Sequence, residues 1–167
     1  KDFEIINEEV VKQIDLDCTW AEAQPDPNPF DSTKHLFIEN NDVNIKNISQ
    51  NEGANIVLVD AINHALNEEL EFNDKMVIYG QDVEDGKGGV FTATRGLSDT
   101  YGSERVFNSP LAESSIIGTA VGMATLGYKP VVEIQFADYI WYGMMQIRNE
   151  MATMHYRSNG KWSCPLV

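Results

Sequence analysis

The sequence predicts an α/β fold, a three-layer sandwich with a mostly parallel sheet that is truncated at its C-terminus. The main observation is that segments with helical periodicity alternate with short apolar runs of strand length. A second observation is a stretch without charged residues, 114–128, that is too long for a strand. The third is the last apolar run, 164–167, which begins a strand where the sequence stops.

The first 53 residues are predicted to be an appendage to the folded domain. Residues 1–17 place aliphatic side chains among acids at helical spacing, which predicts an amphipathic helix. Three alternate prolines in 25–29 remove amide donors and exclude a helix or a central strand. Residues 39–53 hold five asparagines and end in glycine, which indicates an exposed linker. We therefore expect a tail and linker over 1–53 and a domain over 54–167.

The elements of that domain follow from periodicity. Leu58 and Leu70 fall on the apolar face of a predicted helix that ends at Asn73. The apolar run 76–79 has the length of a buried strand. Residues 80–103 contain six glycines, which predicts a long surface loop of the kind that often carries function. Two further strands and a helix are predicted at 106–107, 129–134 and 137–156.

The stretch without charges predicts a buried helix over 114–128. No charged residue occurs between Glu113 and Lys129, and a helix that is apolar all round must be covered on every side. Gly118 and Gly122 lie one turn apart, so a second helix could approach the backbone along this stripe. We expect that contact at an interface between subunits or between two halves of an assembly.

Charge and cysteine content narrow the class of protein. The chain has 26 acidic and 12 basic side chains, a formal net charge of −14, which disfavours nucleic acid and anionic lipid as partners. No apolar run approaches the roughly 18–20 residues needed to cross a bilayer. Cys18 and Cys164 are far apart and fit neither a disulfide framework nor a zinc site. A cytoplasmic protein without nucleic-acid or membrane partners is expected.

Glu113 is the main candidate for chemistry. At the start of an uncharged helix, the helix dipole favours its anion while burial favours its acid form. A carboxyl group under these opposing influences suits proton exchange with a heterocyclic ligand. The alternative is a first-turn glutamate that only completes the helix N-terminus, and position alone favours that alternative. The Gly86-Lys-Gly-Gly89 run lacks the spacing of a phosphate-binding loop.

Several motifs from Ala54 onward occur in the order found in one family. They are Tyr79-Gly-Gln-Asp-Val83, Gly88-Gly-Val-Phe91, Thr94-Arg-Gly-Leu97, Arg105-Val-Phe-Asn-Ser-Pro-Leu-Ala-Glu113 and Val132-Glu-Ile-Gln-Phe-Ala-Asp-Tyr139. The chain thereby resembles the beta subunit of the thiamine-diphosphate-dependent, decarboxylating component of 2-oxoacid dehydrogenase complexes, with the branched-chain type most similar. Residues 21–37 also resemble the end of the alpha subunit, which implies that the two halves are fused in one chain.

The resemblance implies a pyrimidine-binding domain for thiamine diphosphate. Glu113 would be its catalytic residue, paired with a ring nitrogen of the aminopyrimidine. Leu111, Gln135 and Tyr139 would line the pocket of that ring. Gln81 would also lie near the cofactor, at a position where the family usually has glutamate. One carboxylate of the usual site is therefore replaced by an amide.

The resemblance also implies an activity, metals and partners. The enzyme would oxidatively decarboxylate a branched-chain 2-oxoacid or pyruvate and transfer the acyl group to a lipoyl group. The backbone carbonyls of Pro165 and Val167 would fall at a potassium site. Magnesium and the diphosphate would be held by the alpha-type half, whose Gly-Asp-Gly motif does not occur in this sequence. The alpha-type half, a lipoyl-bearing acyltransferase and further copies in a homo-oligomer would be the partners.

Two alternatives remain at this stage. One is another transketolase-like thiamine enzyme built on the same domain. The other is a non-catalytic assembly domain that keeps the fold, which the replacement of a glutamate by Gln81 favours and the presence of Glu113 disfavours. The 167-residue chain by itself is expected to be inactive under either enzyme reading, since it would hold at most half of a cofactor site.

Overall fold

The computed structural model describes residues 2–38 and 53–167, which fall into two units, Lys1–Lys34 and His35–Val167. The first unit contains helix α1 (Asp2–Glu22), which is exposed along its whole length and ends five residues later than predicted. It also contains a 3-10 helix, Pro29–Thr33, in which the Phe30 amide donates to the side chain of the capping residue Asn28. The predicted linker lies outside the described residues, apart from Gly53.

The second unit is built on a three-stranded parallel sheet in the order β2-β1-β3. In the central strand, Ile78 pairs with Val106 on one side and Val131 on the other. The elements of this part are α2 (Leu58–Phe72), β1 (Met76–Gly80), α3 (Leu97–Tyr101), β2 (Val106–Asn108), α4 (Glu113–Thr125) and β3 (Lys129–Glu133).

The two faces of the sheet bury separate apolar clusters. Met76 and Ile78 of β1 pack with Leu70 of α2 on one face. Val77 and Tyr79, which alternate with them, pack with Ile116 and Ala120 of α4 on the other. This alternation is what a strand covered on both faces requires. The predicted three-layer α/β sandwich is confirmed, with helices on both sides of a parallel sheet.

Helix α4 is shorter and less covered than predicted. It ends at Thr125, where Gly127 takes a positive φ of 87° and the Tyr128 amide donates back to the Met123 carbonyl, a helix-stop geometry that glycine favours. One face of the helix is exposed within this chain, so burial of that face against a partner stays a prediction. The exposed residues are Ser114, Ser115, Thr119, Gly122 and Thr125. These residues carry no charge, but most are hydroxyl-bearing and tolerate water.

The helix predicted over 137–156 is also wrong as a single element. The chain instead forms a 3-10 helix (Ala137–Gly143), a π-helix (Gln146–Met151) and the short helix α5 (Met154–Arg157). Gly143 is buried against α4, where a Cβ atom would overlap the Ile117 side chain. The backbone at Gly143 therefore has no room for a side chain, and the 3-10 geometry ends at this residue.

The last residues lie beside β3. The Val132 amide donates to the Val167 carbonyl over 2.8 Å, and the Val167 amide donates to the Pro130 carbonyl over 3.0 Å. This is the bonding pattern of a parallel pair, although residues 164–167 do not form a regular strand. None of the helices in the described ranges is long and apolar enough to cross a membrane.

Candidate functional site

The candidate site lies at the carboxyl ends of the parallel strands. Gln81 follows β1, and Asn108 and Glu133 are the last residues of β2 and β3. Glu113 opens α4, which follows β2 along the chain. In open parallel sheets this edge is where ligands bind, because the strand ends and the following helix N-termini leave a crevice there.

Gln81 and Glu113 form the central contact of this edge. The Gln81 amide nitrogen, Nε2, donates a hydrogen bond to Oε1 of Glu113 over 3.3 Å. Gln81 is only 5% exposed, and its Oε1 atom has no hydrogen-bond partner in the described part of the chain. Glu113 is half-buried at the first position of α4, where the helix dipole stabilises a carboxylate. The edge therefore combines one carboxylate with an unpaired, buried acceptor.

Glu133 is a second carboxyl group at the same edge, and sequence reasoning did not single it out. Burial raises its pKa above the usual range, and the nearby Asp82 carboxylate raises it further. Its Oε2 atom is buried and unpaired within the described residues. The loop passes very close, since a Cβ atom on Gly89 would lie 2.8 Å from Oε1 of Glu133. Its place at the end of a predicted strand is the signal that could have identified it.

The glycine-rich segment after β1 is more ordered than a loose surface loop. Asp85 accepts hydrogen bonds from the amides of Gly96 and Asp99 over 2.7 and 2.8 Å and from the Ser98 hydroxyl over 2.5 Å. These donors, the Ser98 hydroxyl foremost, hold the pKa of Asp85 below its usual range. The Thr94 hydroxyl donates to the Val83 carbonyl over 2.8 Å. One carboxylate thus ties the segment to the start of α3.

The other residues predicted to line the ring pocket occupy different positions along this edge. Leu111 is 83% exposed and Tyr139 is 41% exposed, while Gln135 is half-buried. The Tyr139 ring packs edge-on against Phe136, with 5.5 Å between ring centroids. Within the described ranges, Gln81 and Glu113 are the pair among the predicted site residues that a side-chain hydrogen bond joins.

The positions predicted for potassium lie at the chain end. The Val167 carbonyl already accepts the Val132 amide, which leaves one of its lone pairs, and Pro165 is half-buried. Across residues 2–38 and 53–167, no three His, Cys, Asp or Glu side chains lie close enough together to hold a metal ion.

Comparison with known proteins identifies the domain. Residues 54–167 match the family model described as transketolase, pyrimidine binding domain. The chain belongs to this family. The pyrimidine-binding domain begins at Ala54, the residue at which the composition of the sequence changes, and it contains every strand described above.

The relatives of this pyrimidine-binding domain confirm the resemblance to beta subunits. It is 50% identical over 109 residues to the 2-oxoisovalerate dehydrogenase subunit beta of Bacillus subtilis, covering 65% of this chain and 33% of the relative. It is 46% identical over 120 residues to the mitochondrial 2-oxoisovalerate dehydrogenase subunit beta of Dictyostelium discoideum, covering 72% and 31%. The pyruvate dehydrogenase E1 component subunit beta of Bacillus subtilis is 42% identical over 114 residues, covering 68% and 35%. The chain spans about a third of these relatives' length.

The residues present at the edge of the pyrimidine-binding domain fit an aminopyrimidine. The ring nitrogens of such a group accept hydrogen bonds and pair with a carboxyl group through a shared proton, whereas its exocyclic amine donates to a neutral acceptor. Glu113 supplies the carboxylate, and the unpaired Oε1 of Gln81 is a buried acceptor beside it. The domain presents no cluster of acids for a metal–diphosphate group in its described residues.

Proposed function

We propose that this chain supplies the pyrimidine-binding half of a thiamine-diphosphate-dependent 2-oxoacid dehydrogenase component, with Glu113 as its catalytic residue. The observation that carries the proposal is the half-buried Glu113 carboxylate at the N-terminus of α4, hydrogen-bonded to the buried Gln81. Membership of the pyrimidine-binding family and the printed names of its relatives support the choice of ligand and reaction.

Each site residue has a role that follows from its chemistry. Glu113 holds a proton between its carboxylate and a ring nitrogen, which a group at the border of an apolar interior can exchange. Leu111 supplies an apolar wall, and Gln135 and Tyr139 supply polar and aromatic atoms near the ring. When bound, thiamine diphosphate supplies a carbon nucleophile and holds the electron pair released by decarboxylation.

The whole enzyme would need parts that lie outside this chain. An alpha-type half, fused upstream, would hold magnesium and the diphosphate, and a lipoyl-bearing acyltransferase would accept the acyl group. Potassium would bind at the carbonyls of Pro165 and Val167, and several copies would assemble in the cytoplasm. The substrate is a 2-oxoacid, either branched-chain or pyruvate, because relatives of both names are similar to this chain.

The decisive variant is Glu113→Gln in the full-length protein assembled with its alpha-type half. The amide keeps the shape of the side chain but cannot exchange the proton, so we expect decarboxylation to fall by more than about tenfold. The dissociation constant of thiamine diphosphate should change by less than roughly threefold, since uniform binding energy is largely retained. Carbon dioxide release from 2-oxoisovalerate and from pyruvate measures the effect and compares the two substrates.

Glu104→Gln is the matched control for this experiment. Glu104 is exposed before β2, and the substitution removes the same charge away from the sheet edge. We expect turnover equal to that of the unchanged enzyme. Turnover of the Glu113→Gln protein equal to that of the control would overturn the proposed function and favour a non-catalytic assembly domain.

A further inference from the structure

We propose that Gln81 is the positioning residue of Glu113 and that its amide leaves Glu113 as the single ionisable group of the contact between these two side chains. The inference rests on the proposed function, because Glu113 is the group that Gln81 positions. A carboxyl group at position 81 would share a proton with Glu113. With an amide at that position, Glu113 exchanges its proton without a neighbouring acid in contact with it.

The orientation of the amide follows from the contact. Only the Nε2 side of Gln81 can donate to Oε1 of Glu113, because the opposite orientation would place two acceptor oxygens against each other. Gln81 follows the fully buried strand β1 directly, so its backbone is held by the centre of the sheet. A side chain on such a rigid support can fix the direction of the carboxylate that it contacts.

The other end of the amide separates a functional role from simple packing. Gln81 is 95% buried, yet its Oε1 has no donor in the described part of the chain. An unpaired buried carbonyl oxygen destabilises a fold, and a leucine would fill similar space without that penalty. A bound ring would account for the unpaired oxygen as an acceptor, while the N–H donor and the neutral charge of the amide act on Glu113.

No charged side chain in the described ranges forms an ion pair or hydrogen bond with Glu113. Helix α4 packs against β3, the 3-10 helix Ala137–Gly143 and the π-helix Gln146–Met151, and Gln81 follows β1. The charged residues on these elements or directly after β1 are Asp82, Lys129, Glu133, Asp138, Arg148 and Glu150. The hydrogen bond from Gln81 is thus the specific polar contact of the Glu113 carboxylate. An acid at position 81 would face Glu113 at hydrogen-bond distance, and two such carboxyl groups share one proton.

The test is Gln81→Glu in the full-length protein with its alpha-type half. Calorimetric titration with thiamine diphosphate and magnesium, in buffers of different ionisation enthalpy, counts the protons exchanged on binding. We expect this count to change by about half a proton or more, because the free site then already shares a proton. The pH midpoint for deuterium exchange at the thiazolium carbon of the bound cofactor should rise by about one unit.

Two further variants complete the design. Gln81→Leu keeps the size but removes both the donor to Glu113 and the buried acceptor, so exchange should slow by roughly tenfold while the pH midpoint stays unchanged. Gln13→Glu is the matched control: Gln13 also donates to an acid, Asp17, over 2.8 Å, but in an exposed pair on α1. Its proton count, exchange rate and pH midpoint should equal those of the unchanged protein.

The outcomes separate this inference from the function on which it rests. A proton count and pH midpoint in Gln81→Glu equal to those of Gln13→Glu would overturn the positioning role, even where Glu113→Gln abolishes turnover. Full turnover in Glu113→Gln would overturn the proposed function itself. If Gln81→Leu does not fold, the nearly isosteric Gln81→Glu still tests the positioning role of Gln81, because loss of packing alone would not move a pH midpoint.

Discussion

Asp85 and Glu133 are two carboxyl groups of the same domain that the fold treats in opposite ways. Asp85 accepts hydrogen bonds from two backbone amides and from the Ser98 hydroxyl, and its pKa lies below the usual range. Glu133 has an unpaired, buried oxygen, and its pKa lies above the usual range because of burial and then the charge of Asp82. The first group is surrounded by donors, whereas the second has burial and a like charge around it.

This difference shows where the domain uses acidic side chains to hold its own backbone and where it leaves their oxygens available to a ligand. Asp85 organises the segment between β1 and α3, which the glycine content alone would suggest is loose. Glu133 and Gln81, at the carboxyl ends of β3 and β1, both retain an oxygen that no donor in the described ranges reaches. Two of the three buried side-chain atoms without a hydrogen-bond partner in the described residues thus lie at the edge of the sheet where a ligand is expected, and the third is Oε1 of Gln146.

The largest loss of unfolding free energy is expected in the glycine-rich segment after β1, where the backbone at Gly88 lies close to that at Arg95. In Gly88→Ala, the new Cβ atom would lie 2.7 Å from the Cα atom of Arg95, at a φ of 68°. Gly86→Ala is the control, since Gly86 also has a positive φ, 100°, but open space around it. We expect a loss of about 3 kcal/mol of unfolding free energy for Gly88→Ala and about 1 kcal/mol for the control. Urea denaturation measures both, and equal losses would mean that the loop is not tightly closed.

Removal of the Asp85 carboxylate should have the next largest effect. Asp85→Ala leaves the amide of Gly96 and the first turn of α3 without their acceptor, so we expect a loss of about 1–2 kcal/mol. Asp99→Ala is the control, because Asp99 lies on the same short helix and its backbone amide, rather than its side chain, takes part in the contact. A loss in the control as large as that in Asp85→Ala would assign the effect to helix charge instead of to the hydrogen bonds.

The smallest expected effect is on the pH dependence of stability, to which Asp85 and Glu133 should contribute with opposite signs. A lowered native pKa means that the contribution of Asp85 to stability is present above its ordinary pKa and is lost as pH falls through the native value. A raised native pKa means that the contribution of Glu133 is present below its ordinary pKa and is lost as pH rises through the native value. Asp85→Asn should flatten the acid side of the stability profile, and Glu133→Gln should flatten the fall at higher pH.

Thermal unfolding of the two variants across this pH range measures the contrast. Each variant is the control for the other, since both replace a carboxyl group by an amide within the same domain. Identical changes of slope in the two stability–pH profiles would mean that the fold does not treat the hydrogen-bonded Asp85 and the buried Glu133 in opposite ways.

Local pattern was enough to predict the layers of the domain. Strand β1 is a short apolar run, buried on both faces, and α2 has a single apolar face, so each element's periodicity already indicates how it packs. The order of such elements predicts a parallel sheet, because a helix between two strands brings the second strand back in the same direction. The choice of Glu113 also came from local pattern, namely an acid at the start of an uncharged helix.

The sequence by itself determined the layers, the family and the position of Glu113, since these depend on periodicity and on motifs within short stretches. Tertiary structure alone decided that Gln81 contacts Glu113 across 32 positions, because the sheet brings the end of β1 beside the start of α4. It also decided that the helical segment after β3 changes its geometry after Gly143, a residue whose backbone lies against the Ile117 side chain. Tertiary structure also decided that the oxygens of Gln81 and Glu133 stay unpaired within the described residues. Whether a buried oxygen finds a donor depends on neighbours that are distant along the chain.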